Sequence, residues 1–436
     1  MDDLKSRRGF IAGTAASFGL LAGCTESTNS SSGTSNTNTS DSADDETSGQ
    51  TEQEPGSQTG SMEGSWTTFQ YDSNRSGFAP SEEGPEPIAD ATTAWTHGVS
   101  TRTYPPSCPI VNGTQVFVTT YGGSVRALDL ATGEQQWRFE VPSDVYATPT
   151  VDDGTVYVGS TDRNLYAINS ETGEENWSYR TGFPVNQPVA TDEEYVYFTG
   201  ATGPKGGFVE KLTKDGKQEW RHDMTQYSSY GNDVEAGPSL GESHVFIGSG
   251  RKTQSSTFVA ISKSSGNVDW TFETDEYEID ADTYQTATVV EDVVYAPLGG
   301  PDISPGHLYA FNTQDGSLIW EYETEQGHTL NKACAATNDA VYILEEPANG
   351  SNDSTLRKLN AEGGSTEWQA TLSTSDPRCT PSIVSDSVYV GTLQVDRDSG
   401  EKYGAVGGEP SFSESCVTQG NLITHGGGGY KLWRTE

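Results

Sequence analysis

Few side chains in this 436-residue chain are spaced for chemistry. Six histidines occur, at 97, 222, 244, 307, 328 and 425, with no His-x-x-x-His or comparable spacing for a metal. No Gly-x-x-x-x-Gly-Lys loop is present to cradle a phosphate, and the glycine run from Gly426 to Gly429 reads as a hairpin turn. The acidic run from Asp275 to Asp282 offers oxygen ligands at alternating positions, as a hard cation such as Ca²⁺ requires. It lacks the central glycine of a calcium loop and reads first as a surface loop, so the expected set of metal ligands is none. Five cysteines complete the inventory, at 24, 108, 334, 379 and 416. No two are adjacent in sequence.

The elements that must position these groups are repeated. Ala127-Leu-Asp-Leu-Ala-Thr-Gly-Glu-Gln-Gln-Trp137 recurs as Ala167-Ile-Asn-Ser-Glu-Thr-Gly-Glu-Glu-Asn-Trp177, again ending at Trp270 and Trp320, and more loosely at Trp220 and Trp368. A glycine stands four residues before each of these tryptophans. An alternating strand such as Leu165 to Asn169 runs into a turn, where glycine supplies the positive φ, and a second strand carries the indole into an apolar seam. Upstream lies another hairpin, as in Thr148-Pro149-Thr150-Val151, Asp152-Asp153-Gly154 and Thr155 to Gly159. Four short strands per unit make one propeller blade. Tryptophans at 95, 137, 177, 220, 270, 320 and 368 mark outer strands 40 to 50 residues apart, and Phe412 takes the next such place. The final three strands lack an outer partner, and Ala94-Trp95-Thr96 is an outer strand with no blade before it. Their pairing would close the ring and remove exposed sheet edges. The expected fold is an all-β, eight-bladed propeller of four-stranded antiparallel blades over residues 63–436, with seven blades as the alternative.

The Ala-x-Asp-x-x-Thr-Gly-x-x-x-Trp unit resembles the tryptophan-docking motif of the PQQ-type propellers, which include quinoprotein alcohol dehydrogenases and the BamB lipoprotein of outer-membrane assembly. The opening stretch from Trp66 to Phe78 also looks like the leading segment of such proteins. The resemblance specifies fold more than activity, because one fold hosts many functions. It implies that Trp95, Trp137, Trp177, Trp220, Trp270, Trp320 and Trp368 dock one blade on the next. The quinone enzymes of the class carry a tryptophan floor, Ca²⁺ ligands, a catalytic Asp and usually a disulfide between adjacent cysteines. The missing adjacent Cys pair and the modest length argue against PQQ and calcium, so neither catalytic residues nor a cofactor are expected.

With the inner strands aligned, Tyr146, Asn186, Glu235, Tyr284, Gln285, Lys332 and Arg378 ring one channel mouth, with Tyr104, Tyr227 and Tyr230 in neighbouring loops. Exposed aromatics on loops favour a binding patch, whereas polar residues there also suit a wet channel. Cys108, Cys334, Cys379 and Cys416 each fall at the start of an inner strand, in blades 1, 6, 7 and 8. Three pairings are open to them, and neighbouring blades offer Cys108 with Cys416 and Cys334 with Cys379. Four free thiols are the alternative.

Ser6-Arg7-Arg8-Gly9-Phe10-Ile11 reads as a twin-arginine export signal. A short apolar stretch follows and ends in Leu21-Ala22-Gly23-Cys24, which resembles a lipobox with Cys24 as the lipidated residue. Residues 25–62 are Ser, Thr, acidic and almost devoid of apolar side chains, the composition of a disordered tether. A net charge of −38 repels nucleic acid and suits solubility in high salt, so a halophilic source is expected. The sequence therefore predicts a monomeric, lipid-anchored propeller on the extracellular side of the cell membrane, binding other envelope or secreted proteins. A PQQ-dependent dehydrogenase and an extracellular ligand or glycan sensor are the alternatives.

Overall fold

The computed structural model describes Phe10–Ala12 and residues 65–435, apart from 81, 83, 87, 100–106, 202–206, 228–235, 250–255, 275–282, 300–304, 331, 349–352, 374–378, 407–413 and 427–428. Cys24, the tether, Tyr104, Tyr230, Glu235, Arg378 and the acidic run 275–282 lie outside the described residues. Eight antiparallel sheets, each built on four strands, form the blades. Blade 1 covers residues 110–140, and blades 2 to 7 follow in chain order to residue 405. Blade 8 joins both ends of the propeller: Thr92–Gly98 pairs antiparallel with Gly429–Arg434, from Thr92 opposite Arg434 to Gly98 opposite Gly429. The three-residue strand Phe10–Ala12 adds to the outer edge of blade 4, opposite Trp270 to Phe272.

The repeated Gly and Trp form one joint. Each indole packs on the motif glycine of the next blade: a methyl added to Gly133 would lie 2.6 Å from Trp95, on Gly173 2.7 Å from Trp137, and on Gly316 2.5 Å from Trp270. Gly216, Gly266, Gly364 and Gly400 receive Trp177, Trp220, Trp320 and Trp368 in the same way. Every one of these indole N–H groups donates to a carbonyl of the next blade, from Trp95 to Leu130 O at 2.9 Å through Trp368 to Arg397 O at 3.1 Å. The turn glycine therefore meets two needs, a left-handed φ near +70° and room for a ring. Behind each indole but Trp95 stands an aromatic from the second strand of its own blade, such as Tyr157 at 6.0 Å from Trp177 and Tyr295 at 5.7 Å from Trp320. This aromatic seam, with Val and Ile alternating around it, is the core.

One junction departs from the expectation. Phe412 lies outside the described residues, and the strand register gives the tryptophan place in blade 7 to Gly404, paired with Gln394 as Trp137 is with Ala127. The chain ahead of blade 8 fills the gap instead. A short 3₁₀ turn, Ile88–Asp90, packs on this outer strand, with Ala89 nearest Gly404. A methyl on Gly84 would overlap the Tyr389 hydroxyl, and the buried Glu82 carboxylate accepts from Thr418 Oγ1 and the Gln419 N–H.

Candidate functional site

The innermost strand of each blade has one free edge, and the eight edges line the central channel. Unpaired N–H and C=O groups on such an edge need partners. Residues 66–77 supply them at one end. Val111, Val151, Thr191, Leu240, Val289, Ala336 and Ile383 share one register in blades 1 to 7. Their N–H groups donate in order to Trp66 O, Thr67 O, Ser73 Oγ, Ser73 O, Asn74 O, Ser76 O and Gly77 O. The leading segment thus winds once around the axis and plugs the channel. Two residues nearer the other mouth, blades 1, 2, 4 and 7 place Pro109, Pro149, Pro238 and Pro381, which have no N–H to leave unpaired.

Arg75 pins the plug. Its guanidinium is fully buried, and its N–H groups reach Pro238 O, Thr68 Oγ1, Phe69 O, Pro188 O and Val189 O at 2.7–3.4 Å. Burial lowers its pKa to about 10, opposed by the Asp72 carboxylate. Burial also pushes the Asp72 carboxyl up, against hydrogen bonds from Ser76 and the charge of Arg75.

The opposite mouth is the one that the sequence nominates. In the strand register, Tyr146, Asn186 and Tyr284 share one level, while Gln285 and Lys332 lie one residue deeper. Glu235 and Arg378 fall outside the described residues, and only the backbones of Tyr227 and Tyr284 are described. Tyr146 is 42% exposed and meets Tyr121 edge-on with ring centres 5.0 Å apart. Phe183, 37% exposed, lies on the equivalent loop of the next blade, with the Arg221 guanidinium 5.8 Å from its ring. Asn186 Oδ1 is buried without a hydrogen-bond partner.

Below the lip is a throat. The residues three before the Val111 register are Cys108, Thr148, Pro188, Gly237, Thr286, Ala333, Thr380 and Glu414. Here a side chain of one blade caps the N–H of the blade before it: Thr148 Oγ1 accepts from Cys108, Thr286 Oγ1 from Gly237, and Glu414 Oε2 from Thr380. Glu414 stands where blades 2 and 5 use threonine. Burial raises its pKa to about 7, opposed by the Lys332 ammonium and the hydrogen bonds from Thr380. Sequence reading missed Glu414 because its strand is the most degenerate of the eight.

The disulfides that the sequence allows are not formed here: Cys108, Cys334, Cys379 and Cys416 are buried free thiols. The register explains this. Cys108 and Cys416 are two levels apart, as are Cys334 and Cys379. That stagger is about 6.6 Å along a strand, before the spacing between blades is added. Cys108 serves in the ring of caps, its thiol 3.7 Å from Ser415 O across the closing seam. Burial pushes all four thiols up, Cys334 to about 12, which keeps them protonated and unreactive.

No curated protein matches this chain. Among solved structures, the quinohemoprotein alcohol dehydrogenase of Comamonas testosteroni superposes with a TM-score of 0.66 at 12% identity, over 85% of this chain and 80% of that one. BamB of Moraxella catarrhalis gives 0.60 at 15% identity, over 79% of this chain and 99% of that one. A europium-containing methanol dehydrogenase gives 0.64 at 13%, over 84% and 90%. These likenesses establish the fold, which enzymes and an assembly factor share. A family model described as outer membrane protein assembly factor BamB matches residues 88–255 and 185–401. With most of its propeller so matched, blade upon docked blade, this chain belongs to the BamB-like family of PQQ-type propellers.

Proposed function

We propose that this propeller is an exported, lipid-anchored scaffold that binds other envelope or secreted proteins on its open face. The observation that carries the reading is the aromatic lip. Tyr146 and Phe183, exposed on adjacent loops, stand on the face opposite the plugged end of the channel. Rigid aromatics on loops above a stiff scaffold are what protein-binding patches use. The twin-arginine and Leu-Ala-Gly-Cys24 motifs support export and anchoring, and the acidic composition supports a halophilic setting and basic partners. An outer-membrane role is no part of this reading, because the named match describes a family rather than this chain's surroundings.

The described part of the throat favours the scaffold over PQQ with calcium. At the level of Glu414 and Cys108 the throat carries no aromatic ring to lie under a planar quinone. No group of three His, Cys, Asp or Glu side chains suited to a metal occurs among the described residues. The test is crosslinking on intact cells from a photoreactive residue placed at Ser143, on the Tyr146 loop, so that both lip aromatics can be replaced without losing the probe. Discrete protein adducts are expected, and the double variant Tyr146→Ala, Phe183→Ala should weaken capture about tenfold or more while leaving the circular dichroism spectrum intact. An unchanged set and yield of adducts in that variant would remove the lip from the proposal.

A further inference from the structure

The throat presents polar groups that the fold leaves unused. Gln70 belongs to the plug, whose main chain bonds at the Val111 register, yet its Nε2 donates to Cys334 O at 2.7 Å, two residues nearer the open mouth. Its side chain is therefore aimed up the channel. Gln70 is 3% exposed, and its Oε1 has no hydrogen-bond partner. Exchanging the amide's N and O would set oxygen against the Cys334 carbonyl, so the unpartnered atom is an acceptor. Arg75, reaching the same level, spends its N–H groups on protein acceptors and cannot fill the need.

Above this floor stand two opposite charges. Lys332 lies two residues before Cys334 on the same inner strand, and Glu414 belongs to blade 8. Each is only partly exposed, and the Lys332 ammonium acts on the Glu414 carboxylate, yet no ion pair within 4.0 Å joins them. A carboxylate, an ammonium and an unpartnered acceptor thus lie within two register levels at one end of the channel. Opposed charges that sense each other across a gap fit a guest carrying both signs.

We propose that the throat binds a small zwitterion such as a free α-amino acid, its ammonium group donating to Glu414 and Gln70 Oε1 and its carboxylate accepting from Lys332. This goes beyond the scaffold reading and uses residues below the lip, so its failure would leave lip crosslinks untouched. Binding requires ionised Glu414. The groups acting on that carboxylate are Lys332, the Thr380 hydroxyl and N–H, and the Cys108 and Cys379 thiols, with Glu346 acting in turn on Cys379. Both thiols stay protonated at neutral pH, which leaves Glu414 as the group that titrates there.

Calorimetric titration of the full-length protein with glycine tests this. Saturable binding is expected, with methylammonium and acetate, each carrying one of the two charges, about tenfold weaker or worse. Affinity should rise between pH 6 and pH 8, through the Glu414 pKa of about 7. Glu414→Gln and Lys332→Met should each lose about tenfold in affinity, and Glu414→Gln should also flatten the pH profile. No saturable heat up to on the order of 10 mM glycine would overturn the proposal and leave Gln70 to water alone. Equal binding of acetate or methylammonium, an arm that needs no variant, would overturn it as well.

Discussion

At Gly316 the backbone adopts φ +69°, and a methyl placed there would stand 2.5 Å from the Trp270 ring. Gly420 has almost the same φ, +70°, but open space around it. The pair separates two contributions that the motif combines. Gly420→Ala should cost only the left-handed strain, about 1–2 kcal/mol. Gly316→Ala must also displace an indole from a packed seam, for a total of about 3 kcal/mol. Urea midpoints at constant slope measure both, and equal losses would mean that the Trp–Gly contact contributes nothing. Sequence alone showed the four-residue Gly–Trp spacing and the need for a turn. The glycine's second duty was hidden, because the indole that it receives comes from the preceding repeat, about 40 residues upstream. Spacing also misled at Phe412. An interval identifies where a ring would be, whereas the strand register gives that place to Gly404, with Ala89 of the 3₁₀ turn packed beside it.

The leading segment is the element that sequence reading described least. Residues 66–79 have no period, since they contact a different blade every one to six residues, and a pattern search finds only a resemblance. In the structure they complete the edges of seven inner strands. Burying an arginine among backbone carbonyls is stable only because its donors are matched by acceptors at fixed positions. Arg75→Met should leave carbonyls of blades 3 and 4 and the Thr68 hydroxyl short of donors, at a cost of about 3–5 kcal/mol. Arg75→Lys should recover little of it, because one ammonium cannot span acceptors on the plug and on two blades. Thermal denaturation of both variants checks this, and a lysine variant as stable as the native protein would show that charge, not the guanidinium fork, holds the plug. The mouth was partly legible for a related reason. Inner strands align well enough to place Tyr146, Asn186, Gln285 and Lys332 near one opening, but loop residues such as Phe183, and degenerate ones such as Glu414, carry no repeat signal.

Ring closure distinguishes this molecule from an open stack of similar units. In an open repeat array, removing a terminal repeat exposes one interface and leaves the rest folded. Here the terminal strand Gly429–Arg434 is sandwiched between Asn421–Gly426 and Thr92–Gly98, and the latter carries Trp95, which docks on Gly133 of blade 1. Deleting residues 429–436 therefore does more than shorten blade 8. It frees the outer strand that seals blade 8 to blade 1, exposes the Leu422 and Ile423 face, and unseats Tyr430, whose hydroxyl donates to Thr119 O in blade 1. It also loosens the chain around Glu82 and Gly84, which runs between blade 8 and blade 7. The deletion should abolish cooperative unfolding rather than lower the midpoint by one blade's share, and limited proteolysis should then cut in several blades instead of at the C-terminus alone. A truncated chain that still melts in one sharp transition, protected from residue 110 to residue 405, would show that seven blades form a stable body by themselves. The closing strand would then be a clasp on a finished fold rather than part of its single folding unit.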